Sequence, residues 1–180
     1  MGGKFKDLIE HTNIAHRAFD FGTPNSESSN SLCTLDLGNG KLSALKTELS
    51  TLTTLSILIL HGNGLVGISP KTLIALSQLS WLELHDNSLK SIPDELGLCA
   101  CLRGLTLHNN NLTRAPDCLS SLTDLAMLTL HNNQLEHAHA DDDHETQTGA
   151  ARESCDEPSF GSQLAHLDIS GNHLRTLPLS

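Results

Sequence analysis

The sequence predicts an α/β solenoid in which short parallel strands form a curved, concave sheet and irregular or helical connectors cover the convex side. The first observation is the pattern Leu-x-x-Leu-x-Leu-x-x-Asn-x-Leu, which begins at Leu55, Leu79, Leu102, Leu125 and Leu164. These starts lie 24, 23, 23 and 39 residues apart, and periods of about 20–50 residues are typical of repeat architectures. The second observation is that Asn and Pro recur in phase with the leucines. Because Pro breaks helices and Asn disfavours them, a leucine-rich helix bundle is the weaker interpretation.

Each repeat is expected to begin with a short strand. Side chains alternate between the two faces of a strand, so Leu58 and Leu60 should point into the core. Ile57 and Ile59 should then point outward. Because each strand is expected to pair in parallel with the same strand of the next repeat, the outward positions of successive strands should line one concave face.

The recurring asparagine is expected to hold the turn that follows each strand. The chain bends sharply there and leaves backbone N–H and C=O groups unpaired. A buried side-chain amide can donate to and accept from such groups. We therefore predict a structural ladder made of Asn63, Asn87, Asn110, Asn133 and Asn172.

The segments between the strands carry a second pattern. Residues 91–97 read Ser-Ile-Pro-Asp-Glu-Leu-Gly and residues 114–119 read Arg-Ala-Pro-Asp-Cys-Leu. Together with the repeats, they resemble the Leu-Pro-x-x-Leu/Ile connectors of typical intracellular leucine-rich repeat proteins, including small cytosolic and Ras-binding-scaffold members. The resemblance covers roughly residues 32–180 and implies a protein-interaction module without enzymatic activity. The chain departs from the pattern at Gly40, which replaces the first asparagine, and at 68–70, where the connector is shifted by one residue.

The repeats define the expected domain organisation. Residues 1–31 are interpreted as an N-terminal cap and loop, because the end repeat of a solenoid needs a cover for its apolar face. Residues 32–180 are expected to form the leucine-rich repeat domain, with about six repeats. A polar insert at about 137–161 accounts for the 39-residue spacing and is expected to be disordered. The last repeat stops half-way at Ser180, so we expect that the chain is truncated or needs a partner there.

Charge and composition exclude several classes of function. The net charge is −10, and residues 136–157 carry eight acids against one base. No basic stripe is present, so nucleic-acid binding is not expected. No apolar run reaches membrane-spanning length, and the N-terminus lacks the apolar core of a secretory signal. The five cysteines do not form a disulfide-framework pattern, which favours the cytoplasm.

The N-terminus is similar to an N-myristoylation signal at Gly2. Lys6, however, stands where that signal prefers Ser or Thr. A single acyl chain also holds a membrane only marginally. We therefore expect no stable membrane insertion and keep acylation of Gly2 only as an alternative.

Two groups of histidines could bind a metal or respond to pH. His137, His139 and His144 lie beside the acids of 141–145 in the insert, and a loop without fixed supporting contacts is a poor metal site. The second group, His61, His85, His108 and His131, follows the last strand leucine of successive repeats. Strand spacing would place these rings about 5 Å apart, and stacked imidazoles would resist joint protonation near pH 6. A solvated acidic loop explains the first group more simply, and repeat duplication explains the second, so no metal and no cofactor is predicted.

The sequence favours recognition over catalysis. It contains no phosphate-binding glycine loop, no Gly-x-Ser-x-Gly and no His-Glu-x-x-His motif. Exposed side chains that recur on a rigid sheet suit a binding surface instead. Trp81 should have open space over Gly104 and has the character of an interface hot spot, although a merely tolerated exposed aromatic is the alternative. The predicted partner-binding residues are Ile57, Ile59, His61, Trp81, Glu83, His85, Arg103, Thr106, His108, Met127, Thr129 and His131.

These observations predict a non-catalytic cytoplasmic scaffold or adaptor in signal transduction. It would bind a protein, such as a small GTPase or another signalling protein, on its concave face. The alternative is the N-terminal recognition fragment of a larger leucine-rich repeat enzyme, such as a deadenylase, cyclase or kinase, whose catalytic domain is absent.

Overall fold

Six short strands form one parallel sheet in the part of the chain that the structure, a computed structural model, describes: residues 32–45, 47–136 and 163–174. The predicted N-terminal cap, Gly2, the acidic insert with its three histidines and the residues after 174 lie outside these ranges. Each strand is three residues long. The strands are β1 (Thr34–Asp36), β2 (Ile57–Ile59), β3 (Trp81–Glu83), β4 (Gly104–Thr106), β5 (Met127–Thr129) and β6 (His166–Asp168).

The strands stack in sequence order with a constant register. The middle residue of each strand pairs with the middle residue of the next, as Leu58 does with Leu82 and Leu82 with Leu105. This in-register parallel pairing runs from β1 to β6, and the order of the strands in the sheet is their order in the sequence. The α/β solenoid that the repeat period predicts is therefore confirmed.

Short helical connectors cover the other side of the sheet. They are one α-helix, α1 (Pro70–Ala75), and three 3₁₀ helices, η1 (Thr47–Thr51), η2 (Asp94–Leu98) and η3 (Asp117–Ser121). Pro70 stands in the first turn of α1, where its missing N–H costs no helical hydrogen bond. No helix in the described ranges is long and apolar enough to cross a membrane.

Leucines from strands and connectors fill the space between the two sides. Leu82 and Leu105 from the sheet are buried, and so are Leu73 of α1 and Leu96 of η2. Complete burial of one leucine side chain contributes about 1.5–3 kcal/mol relative to leaving it exposed. The outward strand positions Ile57 and Ile59 are only half-buried, as the alternation of the strand requires.

The asparagine ladder satisfies the backbone of the turns that follow the strands. Asn110 shows the arrangement: its Nδ2 donates to the carbonyl oxygens of Leu84 and Leu107, each at 3.0 Å. Its Oδ1 accepts from the backbone N–H of Leu89 at 2.9 Å. The same three kinds of contact are made by Asn63, Asn87, Asn133 and Asn172.

Each ladder amide serves the preceding repeat as well as its own. This explains how the first repeat tolerates Gly40 at the ladder position. Asn63 reaches back from the second repeat, donates to the Leu37 carbonyl oxygen and accepts from the Leu42 N–H. A repeat without its own asparagine therefore still has its turn bonded by its neighbour.

Removal of one ladder amide should destabilise the protein measurably. We expect Asn110→Ala to lower the free energy of unfolding by roughly 1–3 kcal/mol, because it leaves buried backbone groups unpaired. Urea unfolding followed by circular dichroism measures this change. The control is Gln134→Ala, an exposed position, which should change the value by less than about 0.5 kcal/mol. A loss below about 0.5 kcal/mol for Asn110→Ala would show that the ladder does not carry the turn.

Candidate partner-binding surface

The concave face consists of the strand side chains that point away from the core and of the residues that immediately follow each strand. On β2 and β3 it presents Ile57, Ile59, Trp81 and Glu83, all half-buried. Met127 of β5 is also half-buried. Arg103 precedes β4 and is exposed. The register brings Ile57, Trp81 and Met127 into one row across the sheet, with Gly104 between the last two.

Trp81 is held in place by its neighbours on two strands. The Trp81 indole lies directly over Gly104 on the neighbouring strand. Any side chain at position 104 would collide with the ring, so the glycine provides the room that the indole occupies. The indole Nε1 donates to Glu83 Oε1 at 3.0 Å. The sequence-based prediction that Gly104 provides space for the indole is therefore confirmed, and the indole occupies that space. One face of the ring packs on the sheet, and the ring's orientation is fixed before any partner arrives.

Two of the predicted contact residues are not available for binding. Thr106 and Thr129 are only 8% and 7% exposed, so their assignment to the partner-binding surface is wrong. The reason is the neighbouring histidines. His85 Nδ1 lies 3.0 Å from Thr106 Oγ1, and His108 Nδ1 lies 2.9 Å from Thr129 Oγ1. These threonines position the imidazoles that follow the preceding strands.

The four histidines form a continuous stack along one edge of the concave face. The ring centroids of His61 and His85 are 4.7 Å apart, those of His85 and His108 4.4 Å, and those of His108 and His131 4.3 Å. Neighbouring ring planes are inclined by only 11–12°. The expected regular ladder is therefore confirmed. At its far end, His131 Nδ1 lies 3.0 Å from Asp168 Oδ2, an ion-pair distance when the imidazole is charged.

Burial in the stack disfavours the charged form of the inner imidazoles. Desolvation lowers the pKa of His85 from its ordinary value of 6.5, and the neighbouring His61 lowers it further, against the opposing charges of Glu83 and Asp86. Desolvation also lowers the pKa of His108, with His85 as the next cause.

A second polar ladder lies beside the histidines and was not predicted from the sequence. Asn109 Nδ2 donates to Asp86 Oδ1 at 2.7 Å, and Asn132 Nδ2 donates to Asn109 Oδ1 at 2.9 Å. All three residues have positive φ, which Asn and Asp tolerate better than other non-glycine residues. The sequence does carry a pattern that could have revealed these residues, because only Asn, Asp and Gly occur at the repeat position immediately before the ladder position. In successive repeats the residue before the ladder position is Asn39, Gly62, Asp86, Asn109, Asn132 and Gly171.

Within the described ranges, two sets of side chains bring potential metal ligands together. One consists of His61, Glu83 and His85, and the other of His85, Asp86 and His108. In each set the ligand atoms lie within 4.8 Å of one another. No metal site was predicted here from the sequence, because repeat duplication explains the recurring histidines more simply.

The comparisons with known proteins agree with this architecture. Residues 53–112 and 78–135 match the model of the Leucine rich repeat family. Together with the six-stranded in-register sheet, this match identifies a leucine-rich repeat solenoid. No curated protein sequence matches the chain significantly.

Solved leucine-rich repeat structures superpose well on the chain. A leucine-rich repeat protein of Leptospira interrogans gives a TM-score of 0.68 at 28% identity, over 82% of this chain and 33% of the other. The chain thus spans one third of that protein. The BIR2 ectodomain of Arabidopsis thaliana gives 0.67 at 24% identity, over 97% and 88% of the two chains. The functional domain of InlJ from Listeria monocytogenes gives 0.62 at 20% identity, over 81% and 27%. The last two show the shared fold alone.

The lowered pKa values of His85 and His108 predict that acid destabilises the fold. Below pH 6.5, the unfolded chain takes up protons at these positions that the folded stack resists. The stabilisation that comes from keeping these imidazoles neutral is fully present above their ordinary pKa. It is lost as the pH falls from the ordinary pKa towards the lower pKa of the folded protein. Urea unfolding in chelator-containing buffer at about pH 7.5 and pH 5.5 should therefore show a lower free energy of unfolding in acid.

The matched variants are the double substitution His85→Asn with His108→Asn, and His173→Asn, which removes an exposed imidazole outside the stack. The double variant should lose part of the acid sensitivity, because it has no imidazoles to protonate at the centre of the stack. The stack does not resist protonation if the free energy of unfolding of the double variant depends on pH as much as that of the wild type and of the control.

Proposed function

We propose that this chain is a non-catalytic interaction scaffold that binds a protein partner on its concave face. The observation that carries the proposal is the fixed indole of Trp81, which lies on Gly104 and is hydrogen-bonded to Glu83. Large aromatic side chains dominate the energetics of protein interfaces, especially near the centre of the contact. Trp81 occupies the third of six strands, and therefore the middle of the described sheet.

The surroundings of Trp81 support this role. Ile57 and Met127 share its row, and all three side chains are half-buried. Glu83 and the exposed Arg103 add charge of both signs beside the apolar row. An apolar centre with polar neighbours is the usual composition of a protein interface. Because the strands fix these side chains in advance, binding would cost less conformational entropy than on a flexible loop.

Leucine-rich repeat domains generally mediate protein–protein interaction and are typically non-catalytic. The half-buried apolar row at the centre of a regular parallel sheet is consistent with that general role. The likeness of the connectors to those of intracellular scaffolds extends the proposal to a small GTPase or another signalling protein as the partner.

We propose the cytoplasm as the compartment, on the basis of the cysteines. The described cysteines Cys99, Cys101 and Cys118 are free thiols. Burial is the main cause that raises the pKa values of Cys99 and Cys118 to about 11, so both stay protonated at neutral pH. Unreactive thiols that serve as small core side chains suit a reducing compartment.

Truncation of Trp81 should reduce partner binding without unfolding the protein. Trp81→Ala removes the aromatic anchor, and loss of a hot spot typically costs about 2 kcal/mol or more, about 30-fold in affinity. The measurement is quantitative capture of interacting proteins from cell lysate by the wild type and by the variant, with mass spectrometry. Circular dichroism checks that the variant is folded.

The control is Lys90→Ala, because Lys90 is exposed and lies in the connector before η2. It should capture the same proteins as the wild type. The proposal would be wrong if the folded Trp81 variant retained its partners while the Lys90 variant lost them.

A further inference from the structure

A set of two imidazoles and one carboxylate lies at the edge of the concave face. The ligand atoms of His85, Asp86 and His108 lie within 4.8 Å of one another, and His85 Nε2 is 3.8 Å from Asp86 Oδ2. Imidazole nitrogen and carboxylate oxygen together suit borderline divalent ions such as Zn²⁺. We propose that these three side chains form a binding site for a divalent transition-metal ion.

Both histidines have the supporting contact that a ligand histidine usually has. The Nδ1 atoms of His85 and His108 lie at hydrogen-bond distance from Thr106 Oγ1 and Thr129 Oγ1. In the tautomer in which Nδ1–H donates to the hydroxyl, the lone pair is on Nε2 and is available to an ion. Metal-bound histidines almost always donate their other ring N–H in this way, which fixes the orientation of the ring. The buried positions of the two threonines thus have a role in the site.

The carboxylate of Asp86 is oriented as well. Its Oδ1 accepts from Asn109 Nδ2 at 2.7 Å, and Asn109 is held in turn by Asn132. Oδ2 is the oxygen that lies 3.8 Å from His85 Nε2. In the other described repeats, this position is occupied by Asn39, Gly62, Asn109, Asn132 or Gly171. Among the described repeats, Asp86 is therefore the one carboxylate at this repeat position.

The second candidate set, His61, Glu83 and His85, is the weaker one. Of its two imidazoles, only His85 has a hydrogen-bond contact at Nδ1 among the described residues, with Thr106 Oγ1. Both imidazoles of the set that contains Asp86 have such a contact. The two sets share His85, so an ion at the Asp86 set would exclude one at the other.

The bound form requires a small change in the stack. The rings of His85 and His108 are nearly parallel with centroids 4.4 Å apart. With bonds of about 2.0–2.1 Å, one ion can join two nitrogens that are at most about 4.2 Å apart. Each Nε2 lone pair also lies in the plane of its ring, so two nearly parallel rings cannot both direct a lone pair at one ion. The two rings must therefore tilt towards each other at their Nε2 edges. Such a tilt would change the chemical shifts of these imidazoles in a two-dimensional NMR spectrum.

The experiment is a calorimetric titration of the untagged, full-length, chelator-treated protein with ZnCl₂ at about pH 7.5. We expect one saturable site that Mg²⁺ does not occupy, because Mg²⁺ prefers oxygen ligands. Asp86→Asn should weaken Zn²⁺ binding by about tenfold or more. This variant should fold normally, because Asn109 and Asn132 show that asparagine adopts the same positive φ. The matched control is Asp124→Asn, an exposed carboxylate in a turn, which should bind like the wild type.

Two further variants decide where the ion binds. Replacement of His137, His139 and His144 by Ala should leave the site intact, and so should Glu83→Gln. The proposal is overturned if Asp86→Asn binds Zn²⁺ as tightly as the wild type. It is also overturned if binding is lost only in the triple histidine variant, or if Glu83→Gln weakens binding and Asp86→Asn does not.

Discussion

The hydrogen bonds of the asparagine ladder are the interaction on which the rest of the structure depends. Strands of three residues make few backbone hydrogen bonds of their own, and each is followed at once by a sharp turn. The ladder amides supply the missing partners from inside the turn, and each amide bridges two repeats, as Asn110 does between Leu84 and Leu107. The constant register of the sheet follows from this bridging, because every turn is tied to the next at the same position.

A constant register has consequences for the surface. Equivalent side chains of successive repeats are brought to a spacing of one strand, and their properties then depend on their neighbours in the stack. The histidines become a column of nearly parallel rings, and Asp86, Asn109 and Asn132 become a chain of hydrogen bonds beside it. In the same way, the glycine at 104 provides the space in which the Trp81 indole lies. The proposed partner-binding surface and the proposed metal site thus both derive from side chains that the repeat brings together.

Most of the fold and only part of the surface could be predicted from the sequence. The leucine and asparagine positions are repeated, so their period determines the strands, the core and the ladder. The stacking of His61, His85, His108 and His131 follows from the same period. The burial of Thr106 and Thr129 could not be predicted, because it depends on the rotamers of the preceding histidines and not on spacing. The hydrogen-bonded chain from Asp86 to Asn132 was also missed, although only Asn, Asp and Gly occur at its repeat position, because contacts between neighbouring repeats cannot be read from the spacing.

The proposed metal site rests on contacts that the sequence alone does not show. The lack of fixed supporting contacts argues against a metal site in the polar insert, whereas repeat duplication is the alternative explanation for the histidine stack. In the histidine stack, the supporting groups are Thr106, Thr129 and Asn109, and each belongs to the repeat that follows its ligand. Contacts between repeats of this kind become visible only when the register of the sheet is known.

The ladder amides hold the turns and, through them, the concave face. Amide hydrogen exchange of the full-length protein, followed by NMR, tests it most directly. The backbone N–H groups of Leu65, Leu89 and Leu112, which donate to ladder asparagines, should exchange as slowly as the N–H groups within the strands. Exchange of these three amides at the rate of an unstructured chain, with the strands still protected, would contradict the claim.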